Sequence, residues 1–172
     1  MPFDDDYGWQ QRLIPHMKQI LAQYLIVEAP FEEDARHNTD LIVLGLGAVR
    51  VACRVRTFDY AKRYPNDFTI RASRPSGVKT ELAKIIEGWG DYIFYGFASP
   101  SKDNIVAWTL GDLKVFRLWY NRELYQGRHP GEAGRNSDGS SNFIAFNVNA
   151  LPGDFVVARR HFEGLRDASV AA

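Results

Sequence analysis

The chain has 172 residues, and its 21 basic and 21 acidic side chains leave a formal net charge of zero. That balance excludes a histone-like or tail-driven nucleic-acid binder, which needs a surplus of charge to neutralise phosphates. A single cysteine, Cys53, excludes an intramolecular disulfide and a cysteine-based zinc site, while the length suits one domain that hides about 70% of its unfolded surface without staples.

The N-terminus is acidic and has no apolar signal core. The longest apolar run, residues 41–49, is broken by glycines and too short to span a bilayer. A cytoplasmic protein with no membrane partner is the expectation. The charges are unevenly spread. Asp4, Asp5 and Asp6 open the chain, and Glu32, Glu33 and Asp34 follow. Arg50, Arg54, Arg56, Lys62, Arg63, Arg71 and Arg74 then fall in one stretch. The protein is neutral overall and polarised locally.

Leu13, Met17, Ile20, Leu21 and Tyr24 recur at helical spacing and predict a helix over 9–24, with Pro15 in its first turn or at a kink. A short strand is expected over 25–28 and an acidic loop over 30–38. Residues 41–44 read as a strand rich in branched side chains, and Gly45 and Gly47 as a hairpin turn. Residues 49–57 then alternate. Val49, Val51, Cys53 and Val55 make an apolar face, and Arg50, Ala52, Arg54 and Arg56 a largely basic one. On the apolar face Cys53 is expected to be buried and inert.

A strand over 68–73, a turn at 74–77 and a helix over 78–87 ended by Gly88 come next. An aromatic strand over 92–98 and another strand over 105–110 precede a helix over 112–124, whose N-terminus Asp112 favours. Residues 127–141 are rich in Gly, Ser, Asn and charges and read as a mobile loop. Strands at 143–148 and 155–158 and a frayed end at 167–172 complete the chain. No repeat or composition break marks a second domain, so 1–172 reads as one. The expected fold is α/β (α+β), a central mixed sheet of about five strands flanked by the helices near 9–24, 78–88 and 112–124.

Two groups of residues can carry chemistry. In the first, Asp40 heads an apolar strand, and the next strand of a tight hairpin brings Arg54 and Arg56 near it. Carboxylates that hold a metal, beside cations that offset phosphate charge, are what magnesium-dependent phosphodiester cleavage needs. The second is the basic sheet surface of Arg54, Arg56, Arg71 and Arg74, with Lys79 and Lys84 beyond and Trp89, Tyr92, Phe94 and Tyr95 close in sequence. Guanidinium forks suit phosphate oxygens, and aromatic rings suit bases. Other signals are weaker. Gly45-x-Gly47 has no third glycine opening a helix, and His16, His37, His129 and His161 have no metal-ligand spacing.

Across residues 9–98 the chain resembles the PD-(D/E)XK, or restriction-endonuclease-like, superfamily: a helix, a strand headed by Asp, then a hairpin strand bearing Glu-x-Lys. The resemblance implies a restriction-endonuclease-like fold, a magnesium ion on Asp40, and a substrate of DNA or RNA. Arg54-Val55-Arg56 falls where Glu-x-Lys belongs. Arg56 can stand for the lysine, but Arg54 has no acceptor and cannot stand for the glutamate. The second carboxylate must then come from a neighbouring element, with Glu28, Glu32, Asp59 and Glu81 as candidates that spacing does not separate. Glu28 is carried forward as the metal partner of Asp40. The string from Asp40 to Phe97 also resembles uncharacterised phage or prophage proteins. The functional expectations are a magnesium-dependent phosphodiesterase using Asp40, Arg54 and Arg56, or a non-catalytic nucleic-acid- or protein-binding module on the same fold. A homo-oligomer joined through the aromatic strand 92–97 is the third.

Overall fold

The computed structural model describes residues 3–28, 41–43 and 49–161. The expected loop 30–38, Asp40 itself and the frayed end 167–172 lie outside the described residues. The expected N-terminal helix forms as two: α1 (Phe3–Arg12) and α2 (Ile14–Leu25). Pro15 explains the break at Leu13. It has no N–H for the ladder, and its ring crowds the carbonyl four residues back, at Gln11. The chain tightens there, with the Leu13 amide donating to the Gln10 carbonyl at 3.0 Å, and resumes when Met17 donates to Leu13 at 3.0 Å. Among the described residues no helix is long and apolar enough to cross a membrane.

Strand β1 (Ile26–Glu28) follows and pairs antiparallel with β2 (Leu41–Val43). Among the described residues the next strand, β3 (Val51–Arg56), has no pairing with β2, contrary to the sequence expectation of a hairpin. It leads instead into helix α3 (Phe58–Arg63), strand β4 (Asp67–Ser73) and helix α4 (Glu81–Ile86), then pairs in parallel with β5 (Tyr92–Ala98), Arg54 opposite Tyr95. A parallel pair needs a long crossover, and α3, β4 and α4 supply one.

Strand β6 (Ile105–Asp112) returns antiparallel to β5 and opens helix α5 (Leu113–Tyr125). Asp112 caps that helix, its carboxylate accepting from the amides of Lys114 at 2.7 Å and Val115 at 3.2 Å. The chain ends with β7 (Glu132–Arg135), β8 (Asn142–Asn147) and β9 (Val156–Arg160). The expected loop over 127–141 thus holds an edge strand, β7, paired to β8.

The described strands form two larger sheets rather than one of about five strands. A mixed four-stranded sheet has the order β3-β5-β6-β9, and an antiparallel three-stranded sheet the order β4-β8-β7. This is a mixed α/β architecture. One face of the four-stranded sheet carries Val55, Phe94, Trp108 and Leu110 against Trp9, Leu13 and Met17 of the N-terminal helices. The other face carries Ile93, Tyr95 and Phe97 against Phe68, Ile70, Phe116, Phe146 and Phe155. Phe68 lies at the centre of that second core, stacked on Phe146 and on Phe155, each with ring centroids 5.5 Å apart. Strand β5 lies between β3 and β6 and is buried from Ile93 to Ala98, so Phe94, Tyr95 and Phe97 are interior and only Tyr92 is partly exposed.

Gly111 shows how tightly this core closes. A Cβ at that position would fall inside the Phe155 ring. Gly111→Ala is therefore expected to destabilise the protein by roughly 1–3 kcal/mol through overpacking, read as a lower denaturant midpoint at unchanged slope.

Candidate nucleic-acid interface

The basic face of β3 does not meet solvent as a stripe. It is covered by β4 and α4. The Arg54 guanidinium donates to Glu81 Oε2 at 2.6 Å and to the Thr69 carbonyl at 3.1 Å. Its side chain and that of Glu81 are 21% and 24% exposed, so the pair is half-buried. Arg56 reaches the same residue of β4. It donates to Thr69 Oγ1 at 2.6 Å and to the Tyr95 hydroxyl at 3.1 Å, and its guanidinium lies 5.3 Å from the centre of the Tyr60 ring. Both side chains tie the four-stranded sheet to the β4 layer. Such anchoring satisfies charges that would otherwise be costly to bury.

Arg54 also lines a cleft of about 490 Å³ between β3, β4, α4 and the turn after α4. Arg50, Arg54, Arg71, Arg74, Lys79 and Lys84 line it, with Glu81 as the only carboxylate among the described residues. That carboxylate is already engaged, because besides Arg54 it accepts from the Arg71 amide at 3.2 Å. Lys79 is paired with Glu87 at 2.6 Å. Among the described residues, the side chains of Arg50, Arg71, Arg74 and Lys84 have no ion pair. Arg71 is half-buried, and burial first, then Arg74 and Arg54, pull its pKa below the usual guanidinium value, with Glu81 acting the other way. A guanidinium stays charged at neutral pH, so Arg71 keeps its positive charge beside those of Arg54 and Arg74.

Each cation is positioned by local structure. Arg50 is fixed through its backbone. Its amide donates to Asp91 Oδ2 at 2.7 Å, and its carbonyl accepts from Asp91 at 2.9 Å. Arg74 begins the expected turn at 74–77, closed by the Gly77 amide on the Arg74 carbonyl at 3.1 Å, with Gly77 at φ +69°. Thr80 Oγ1 donates to the Ala72 carbonyl at 3.0 Å and holds the start of α4 against β4.

The rim of the cleft carries apolar groups. Trp89 is 61% exposed and Val78 is 56% exposed. Trp89 follows a Schellman cap on α4, in which its amide donates to the Lys84 carbonyl and that of Gly88 to Ile85, both at 3.0 Å. Gly88 and Gly90 flank it at φ +99° and +81°.

Of the residues that the sequence nominates for phosphate binding, Arg54, Arg71 and Arg74 meet in this cleft, and Arg56 does not. Lys79, Lys84 and Trp89 join them. Phe94 and Tyr95 lie in the two cores instead. Arg50 belongs to the site and escapes the sequence reading as a site residue. Its signal was its place two residues before Ala52 on the basic face. Cys53, expected to be buried, is exposed on the edge strand β3, though neighbouring atoms crowd its thiol enough to push its pKa up. It is therefore a weak nucleophile.

For the metal site, the β1–β2 register sets Glu28 opposite Leu41, the residue after Asp40. The Glu28 side chain and all of Asp40 lie outside the described residues. Among the described residues no three His, Cys, Asp or Glu side chains stand together as metal ligands. The strand position that would need a carboxylate holds Arg54, which binds Glu81. A guanidinium offers no acceptor to a metal ion at that position. Comparison of the chain with protein-family models, with curated proteins and with solved structures finds no match, so the reading of this cleft rests on its own geometry.

Proposed function

We propose that this protein is a non-catalytic nucleic-acid-binding module that holds phosphates in the cleft between β3, β4 and α4. One observation carries the reading: among the described residues, Arg50, Arg71, Arg74 and Lys84 line the cleft without an ion pair, while its carboxylate, Glu81, is engaged by Arg54. Clustered guanidinium groups suit phosphate oxygens, and displacing counterions from a phosphate chain drives the binding. A neutral net charge is compatible with this, because the excess is local.

The test is binding of a labelled oligonucleotide followed by fluorescence anisotropy across a salt series. Affinity is expected to fall linearly on a log–log plot against salt. Arg71→Ala with Arg74→Ala is expected to weaken binding on the order of tenfold in low salt and to lower that slope by roughly one to two. Salt-independent binding, or binding that the double substitution leaves unchanged, overturns the proposal. Arg54 and Arg56 are the wrong choice for this test, since their loss would disturb the packing of β4 on the sheet.

The magnesium-dependent phosphodiesterase expected from the resemblance draws no support from this cleft. A restriction-endonuclease-like architecture is likewise a proposal that rests on the Asp40 string alone.

A further inference from the structure

The cleft joins two features that a duplex cannot use together. Cationic side chains line it together with the buried Ile85 and Leu113, and an exposed indole stands among them. Trp89 is 61% exposed although its backbone is held on both sides. On one side stands the helix cap already described. On the other, the Gly90 carbonyl accepts from Arg117 Nη1 at 2.9 Å, and Leu113 Cδ1 would lie 3.0 Å from any Cβ at Gly90. A Trp on a fixed turn, with its ring left to solvent in the lining of the cleft, is a ready platform. The other three tryptophans differ: Trp9 and Trp108 are buried, and Trp119 packs partly buried against the aromatic core.

Resting on the reading of the cleft as a phosphate site, we infer that its ligand is single-stranded nucleic acid, with one base stacked on Trp89 and the adjoining phosphates on Arg71 and Arg74. Bases in a duplex keep their faces inside the stack, whereas an unpaired base offers a face to an aromatic ring. Stacking is tolerant of sequence, so little preference among bases is expected beyond stacking strength. The volume of about 490 Å³ is that of a small-ligand cleft and suits one or two nucleotides rather than the flank of a duplex.

The experiment compares a single-stranded oligonucleotide with a duplex of the same length and sequence, in the wild-type chain, Trp89→Ala, Trp89→Phe and the Arg71/Arg74 double variant. The expected result is preference for the single strand, quenching of tryptophan fluorescence that Trp89→Phe abolishes, and a loss of about fivefold to a hundredfold in single-strand affinity in Trp89→Ala. Trp89→Phe is expected to keep most of the affinity, and duplex binding to change little in either variant. An unchanged thermal midpoint in Trp89→Ala checks that the fold is intact. Equal affinity for both forms, or an unaffected Trp89→Ala beside a weakened Arg71/Arg74 variant, overturns the stacking inference and leaves the phosphate cleft standing. Absence of binding to either form overturns both. Displacement of the oligonucleotide by polyglutamate with the same Trp89 dependence assigns the cleft to an acidic protein and overturns the single-strand ligand.

Discussion

Phe68→Ala is expected to lower the free energy of unfolding by about 3–5 kcal/mol. Phe68 is fully buried, and its ring meets those of Tyr95, Phe116, Phe146 and Phe155 with centroids 5.5 to 6.2 Å apart. These partners come from both sheets, from α5 and from the turn before β9. No single element can move in to fill the space, so the cavity term is expected to stay near its full value. Total stabilities are on the order of 5–15 kcal/mol, so this one change removes a large share. Urea unfolding followed by circular dichroism measures it. A loss below about 1 kcal/mol would mean that the two sheets do not close on Phe68 as described.

Glu81→Ala is expected to have the second-largest effect, and in two directions at once. Glu81 Oε2 accepts from both Arg54 and the Arg71 amide. Removing it strands a half-buried guanidinium and a backbone donor, at a cost of about 1.5–3 kcal/mol for a charged hydrogen bond. The same change removes the only carboxylate among the described residues that line the cleft. Oligonucleotide affinity is therefore expected to rise while stability falls. Glu81→Gln separates the two effects. Its amide oxygen still accepts, so stability should largely recover, while the negative charge stays absent and affinity should remain raised. Thermal unfolding and anisotropy on the same samples give both values. If Glu81→Gln binds no more tightly than the wild type, electrostatics does not govern the cleft.

The predicted and observed elements agree best where the signal is local. Strand β5 matches its predicted bounds, because seven residues of aromatic and branched side chains admit little else. Helix α5 begins one residue after Asp112, since a capping carboxylate acts within three residues. Strand β7 was missed because Glu132-Ala133-Gly134-Arg135 has no apolar alternation. It is an edge strand, and Gly134 is small because the Phe143 ring lies over it.

The sequence by itself determined the mixed α/β class, the run of basic residues from Arg50 to Arg74, and the fact that Arg50, Arg54 and Arg56 alternate along one face of a strand. Periodicity and composition are properties of neighbours along the chain, and they can be read there. What covers that face is set by packing between distant segments. Pairing β3 with β5 across an intervening crossover, rather than with β2 across a short turn, lays β4 and α4 over the arginines. That choice depends on which apolar faces close the aromatic core around Phe68, a contact between residues far apart in sequence. It turned Arg54 and Arg56 inward as anchors, and it set Arg71 and Arg74 around the cleft beside Trp89.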